Sequence, residues 1–143
     1  MDLTWTEQLS VGNATLDADH KELFKICRDI DFMTKARDHL ALPQAFKLLK
    51  GCMDRHFLNE ELFAHALDMP FAQHQLDHQN ILAAIDITRR EIGKDSAVTL
   101  YAVEHCAQFL HAWLIKHITE EDMLMKPALQ SRPYHFIIDG VSQ

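Results

Sequence analysis

Residues 56–78 read His56-Phe57-Leu58-Asn59-Glu60-Glu61-Leu62-Phe63-Ala64-His65-Ala66-Leu67-Asp68-Met69-Pro70-Phe71-Ala72-Gln73-His74-Gln75-Leu76-Asp77-His78. His56 and Glu60 stand four residues apart, as do His74 and His78, and Asp68-Met69-Pro70 lies between the two pairs. The residue before a proline avoids helical angles, so this triplet stops a helix. A four-residue step on an α-helix puts two side chains on one face, about 6 Å apart along the axis and roughly 40° apart around it. Two such pairs flanking a turn predict two antiparallel helices that grip one object between them.

Working outward, the same inward periodicity recurs on both sides. Residues 1–16, with Trp5, Leu9, Val11-Gly12 and Leu16, lack helical spacing and read as an arm laid across a bundle, with Trp5 as a packing plug. A first helix is expected from about Asp17, with Asp17 and Asp19 in its first turn where the helix dipole favours acids, fading at Ala36 to His39. Leu16, His20, Leu23, Phe24, Cys27 and Ile30 form its inward stripe. A second helix is expected over Pro43–Leu67, with Ala45, Leu48, Leu49, Cys52, His56, Leu62 and Phe63 facing inward and Gly51 a modest internal weakness. The third, Phe71–Ile92, carries His74, His78, Ile81, Leu82 and Ile85 inward and closes at Gly93. Asp95 or Ser96 caps a fourth, running through Leu100, Val103, Phe109, Leu110, Trp113, Leu114, His117 and Ile118 to about Met125.

Four helices of this length with short connections make an all-α, up-down-up-down antiparallel four-helix bundle. The expected division is a bundle with its N-terminal arm over residues 1–126 and a C-terminal tail over 127–143, either docked or a short extended segment. The 143 residues, 48% of them hydrophobic, suffice for one packed domain. A net charge of −7 argues against nucleic acid and anionic membrane as primary partners. No run approaches a membrane span and Met1 to Ser10 lacks signal-peptide character, so a cytoplasmic protein is expected. Cys27, Cys52 and Cys106, with no CxxC pair, read as reduced, buried small hydrophobes.

The inward polar residues, taken together, are His20 from the first helix, His56 and Glu60 from the second, His74 and His78 from the third and His117 from the fourth. Burying so many titratable groups without partners would cost several kcal/mol each, on the order of the penalty for unpaired polar burial. Metal ions remove that cost by replacing protons on imidazole and carboxylate. His39, His65, His105, His111 and His135 fall outside this pattern and read as surface or partly buried.

Here the chain resembles the hemerythrin family, specifically its bacterial members. Leu16-Asp17-Ala18-Asp19-His20-Lys21-Glu22-Leu23-Phe24 is similar to the family's IDxxHKxLF, His56-Phe57-Leu58-Asn59-Glu60-Glu61 to HFxxEE, His74 with His78 to HxxxH, and Trp113 to Asp122 to WLxxHIxxxD. Trp5 and Val11-Gly12 fit the family arm. The resemblance implies a non-haem di-iron site with an oxo or hydroxo bridge. By similarity, His74, His78 and His117 bind one iron, His20 and His56 the other, and Glu60 and Asp122 span both. The first iron is then saturated and the second keeps a position open for dioxygen. Regular helical spacing from His117 points to Glu121 instead. The resemblance selects Asp122, which requires the helix to deform near its end.

Apolar walls are expected around the open iron, with Trp113, Ile115, Ile118, Phe24 and Phe57 as candidates. The resemblance implies reversible dioxygen binding for storage, delivery or sensing rather than an enzyme, with an oxygen-consuming enzyme or a separate signalling protein as partner. The competing classes are a di-iron oxidase or peroxidase, and a protein of nitric oxide or iron handling. Five histidines to two carboxylates favour binding, since di-iron oxidases use carboxylate-rich sites.

Overall fold

In a computed structural model, the protein is described over residues 4–38, 40–92 and 97–141. Four long helices dominate: α1 (Ala14–Lys35), α2 (Leu42–Ala66), α3 (Ala72–Ile92) and α4 (Ala97–Glu120), followed by a short α5 (Lys126–Gln130). Each long helix packs against the next and α4 returns against α1, closing the expected four-helix bundle. Among the described residues no helix is long and apolar enough to cross a membrane.

Helix α1 starts three residues earlier than its acidic turn suggested. Asn13, not an aspartate, caps it, accepting from the backbone N–H groups of Thr15 and Leu16 at 3.0 and 3.2 Å. Asp17 lies in the first turn, as expected. Its buried carboxylate accepts from Val11 N–H, Ser10 Oγ and Tyr134 Oη, tying the N-terminal arm and the C-terminal tail to α1.

Helices α1 and α2 end alike, in a reverse turn with one residue in the left-handed region. Arg37 and Asp68 both have φ 54°, and the following amides, Asp38 and Met69, bond back to the carbonyls of Met33 and Ala64 at 2.9 and 2.8 Å. Pro70 then forbids continuation, so the break between the two histidine pairs is both a hydrogen-bonded cap and a proline stop. Pro43 sits in the first turn of α2, where its missing N–H is harmless. Gly93, Asp95 and Ser96, expected to end α3 and cap α4, lie outside the described residues, as does His39; the Leu100 side chain is likewise not described.

The main core runs along the bundle axis and includes Phe24, Ile30, Phe46, Leu49, Met53, Ile81, Ile85 and Leu114. Trp5 packs against it from the arm, with Lys21 Nζ 4.3 Å above its ring. Leu48, expected inward, is 56% exposed: neighbouring residues on a helix diverge by about 100°, and Leu49 takes the inward place. Leu62 is only partly buried for the same reason, beside fully buried Phe63. Cys27, Cys52 and Cys106 are free and buried. Burial pushes the Cys27 and Cys52 thiols up to about 12, so neither is a ready nucleophile.

A second, smaller core of Val11, Leu16, Phe63, Ala64, Met125 and Leu129 closes one end of the bundle, with Phe136 and Ile138 of the tail against it. The tail is docked, not extended into solvent. Tyr134 O accepts from Ala14 N–H, Phe136 O accepts from Asn13 Nδ2, and the Phe136 ring meets Phe63 with centroids 6.2 Å apart.

Candidate metal centre

All seven residues selected from the sequence meet inside the bundle, each of them buried. His20 comes from α1, His56 and Glu60 from α2, His74 and His78 from α3, and His117 from α4. Asp122 follows the end of α4: the α-helix stops at Glu120, Glu121 takes φ −100° and ψ −55°, and residues Asp122–Met125 tighten into a 3-10 turn. The tighter winding rotates Asp122 inward, which a continued α-helix would not do. Glu121 stays near the surface, in a depression it shares with Glu120 and Lys116.

The donor atoms form two groups that share both carboxylates. Glu60, His74, His78, His117 and Asp122 bring ligand atoms within 4.8 Å of one another, and so do His20, His56, Glu60 and Asp122. In the first group, Glu60 Oε2 lies 2.8 Å from His74 Nε2, and Asp122 Oδ1 lies 2.9 Å from His74 Nε2 and 3.0 Å from His117 Nε2. In the second, Asp122 Oδ2 lies 2.9 Å from His20 Nε2, and Glu60 Oε1 approaches Nε2 of His56 closely and His20 at 3.9 Å. Each carboxylate therefore turns one oxygen to each group.

These contacts are not ordinary hydrogen bonds. Nε2 of His20 and His56 and all four carboxylate oxygens of Glu60 and Asp122 are buried without an aligned hydrogen-bond partner among the described residues. Leaving so many buried acceptors and charges uncompensated is destabilising by several kcal/mol on the order expected for unpaired buried ions. Lone pairs brought this close fit cations between them.

The three imidazole nitrogens also lie close enough to share one ion. Nε2 of His74 and His78 lie 3.1 and 3.0 Å from Nε2 of His117. Neighbouring nitrogens of an octahedral ion with bonds of about 2.1 Å sit about 3.0 Å apart.

Electrostatics describe the same pocket filled with protons instead of metal. Burial works against charge on His56, yet the Glu60 carboxylate and the bond to Asp19 outweigh it and push the imidazole up to about 10. His74 is likewise pushed up to about 10, burial being overcome by its contacts with Asp122 and Glu60. Burial, only partly offset by Glu60, pushes His78 down to about 3. Burial would raise Glu60, but the charge of His56 and the nearby imidazoles hold it well below the usual carboxylate range. Burial and Glu60 press Asp122 upward, and His117 and His20 bring it down regardless.

Aromatic rings brace the three-histidine group. Phe57 stacks on His78 with centroids 3.7 Å apart and planes within 6°, Trp113 on His117 at 4.4 Å and 11°, and Phe71 on His74 at 4.6 Å and 27°. Of the five expected apolar residues, Phe24, Phe57 and Ile118 are buried in the main core, while Trp113 and Ile115 are partly buried against it. Phe71 was not among the sequence candidates.

Two further residues were missed. Asp19, assigned to the helix dipole, is buried and accepts from Asn59 Nδ2 and pairs with His56 Nδ1, each at 3.0 Å. Asp77 meets His117 Nδ1 at 2.5 Å. Their only sequence signal is the Asp-His dipeptide at 19–20 and 77–78, which also occurs at 38–39, away from the cluster pattern. Of the remaining histidines, His65, His105 and His135 are exposed as expected, whereas His111 is buried, its Nε2 3.4 Å from the Cys27 carbonyl oxygen.

Comparison with known proteins agrees with this arrangement. The family described as hemerythrin HHE cation binding domain matches residues 11–129. A bacteriohemerythrin of Campylobacter jejuni is 26% identical over 125 residues, covering 84% of this chain and 90% of the relative. A bacteriohemerythrin of Ralstonia nicotianae is 26% identical over 132 residues, covering 91% of this chain and 90% of the relative. No solved structure gives a significant match. A family match that runs from the N-terminal arm into α5, over a bundle whose four long helices converge on a buried cluster able to hold metal ions, makes this chain a member of the hemerythrin family.

Proposed function

We propose that the cluster holds two iron ions and that the protein binds dioxygen reversibly, for storage, delivery or sensing on behalf of a separate oxygen-consuming enzyme or signalling protein. The observation that carries this reading is the unequal sharing of two carboxylates: Glu60 and Asp122 face three imidazoles on one side and two on the other. On this reading His74, His78 and His117 hold one iron and His20 and His56 hold the second. The second has one protein ligand fewer, which leaves room for an exogenous ligand. Two ferrous ions, if held by these residues, would supply the electrons that reversible dioxygen binding requires.

The chain's own part is to hold, orient and shield. Neutral imidazoles outnumber carboxylates five to two, a donor set that favours return to the ferrous state over the oxidising chemistry of carboxylate-rich sites. Phe24 lies one helical turn beyond His20 on α1, and Phe57, between His56 and His78, is nearly closed to solvent. With Ile118 and Ile115 they are proposed as the walls that keep water from the open side, whereas Trp113, stacked on His117, shields the three-histidine half. The dry surroundings disfavour release of charged reduced oxygen species.

The test is optical. Iron-loaded protein is reduced under nitrogen, exposed to air and then purged, through several cycles. A visible absorption band that grows on aeration and bleaches on purging, in protein with two irons per chain, is the expected result. Irreversible conversion with release of hydrogen peroxide would overturn reversible binding.

A further inference from the structure

Each half of the cluster contains one histidine whose outer nitrogen is held by an aspartate from the adjacent helix. Asp19 on α1 meets Nδ1 of His56 on α2 at 3.0 Å, and Asp77 on α3 meets Nδ1 of His117 on α4 at 2.5 Å. Both aspartates directly precede a cluster histidine, His20 and His78. Consecutive residues on a helix diverge by about 100°, so while the histidine points into the cluster the aspartate turns toward the neighbouring helix. Each Asp-His dipeptide thus contributes one imidazole to its half and braces a second imidazole of the same half across a helix–helix contact.

A carboxylate oxygen can only accept, so the imidazole facing it carries its proton on Nδ1 and presents the Nε2 lone pair to the cluster. The two braces are set differently. Asp19 has a side chain 7% exposed and is itself held by Asn59 Nδ2 at 3.0 Å, with Arg55 3.7 Å away. Asp77 is 32% exposed, on the rim of a surface depression with Trp113 and Lys116.

We propose that Asp19 and Asp77 are positioning residues, one for each half of the cluster, each setting the metal affinity of its own half through the orientation of His56 or His117. The inference rests on the cluster being a two-metal site. In Asp77→Asn the size is kept, but the amide can donate to Nδ1, which drives the imidazole proton onto Nε2 where the metal must bind.

The experiment titrates metal-free protein with zinc, a diamagnetic probe, and follows the histidine ring signals by NMR together with the binding isotherm. The unaltered protein is expected to take two ions. Asp77→Asn should weaken the His74/His78/His117 half about 10- to 100-fold, leaving the His20/His56 half to fill first, and Asp19→Asn should do the reverse. Asp86→Asn, which removes only a surface pair with Arg89, should change neither. If the unaltered protein fails to take two ions, the two-metal reading falls. If it takes two and the variants fill both halves in its own order, or lose affinity equally in both, the positioning roles fall. Should Asp19→Asn not fold, the rim residue Asp77 decides the question by itself.

Discussion

Asp122 meets His20 across the bundle, Oδ2 to Nε2 at 2.9 Å with both side chains buried, although residue 122 is five positions beyond His117. Only the break after Glu120 makes this contact. Asp122→Asn should therefore abolish tight uptake of at least one metal ion, with an affinity loss of about 100-fold or more from the missing ligand. Glu121→Gln should leave uptake unchanged. Metal content after gel filtration and a titration isotherm check both; equal effects of the two substitutions would refute the role of the 3-10 turn.

The metal-free protein should be most stable near pH 6.5. Above that value the unfolded chain loses its imidazole protons, while His56 and His74 keep theirs up to about 10, so the folded state binds more protons and stability falls as pH rises. Below it the unfolded chain protonates a histidine where folded His78 resists down to about 3, so stability falls in that direction too, and the lowered Glu60 and Asp122 add to the loss at acid pH. Melting temperature should drop by about 5 °C or more between pH 6.5 and 9 in the metal-free form. Metal displaces those protons, so uptake should release protons and tighten with pH, and the alkaline decline should shrink in the loaded form. Thermal scans with and without metal check the sign.

Gly51 lies inside α2 with open space where a Cβ would stand, whereas Gly12 has φ 84° and its Cβ would stand 3.0 Å from Gln130 Cγ. Gly51→Ala should stabilise the fold by about 0.5–1 kcal/mol through helix propensity. Gly12→Ala should destabilise it by about 1 kcal/mol or more, because the left-handed backbone is strained for alanine. Chemical denaturation of the two variants should give shifts of opposite sign.

Tyr134 Oη donates to Asp17 Oδ2 at 2.9 Å, joining residues 117 positions apart. Tyr134→Phe removes one bond to a carboxylate and should cost about 1.5 kcal/mol. Asp17→Ala also leaves the buried Val11 N–H without its acceptor and should cost about 3 kcal/mol. Protease cleavage in the tail should accelerate in both variants if this contact secures it.

Much of the molecule is legible in local pattern. The four-residue spacing of His56 with Glu60 and of His74 with His78 fixes a shared helix face, and Asp68-Met69-Pro70 breaks the chain, so two antiparallel helices with an inward polar cluster follow from periodicity and turn chemistry. The inward stripe of α1 carries His20 into the core by the same logic. Patterning is blurred at the edges of a stripe: Leu48 and Leu49 are equally apolar, yet only one can face the core. Helix α1 begins three residues before Asp17 because Asn13 caps it; Asp17 does lie in the first turn, but its carboxylate is engaged by an arm and a tail distant from it in sequence.

Which residues face inward on a helix is set by the sequence alone, because the helical repeat is a property of the backbone; that determined the bundle and its ring of histidines and Glu60. What the tertiary structure decided is everything requiring two helices at once. The division of Glu60 and Asp122 between unequal sets of imidazoles, the stacking of Phe57 on His78, and the reach of Asp19 and Asp77 to histidines on neighbouring helices all depend on interhelical distance and rotation. Those are fixed by how the core side chains interlock, which no local spacing encodes.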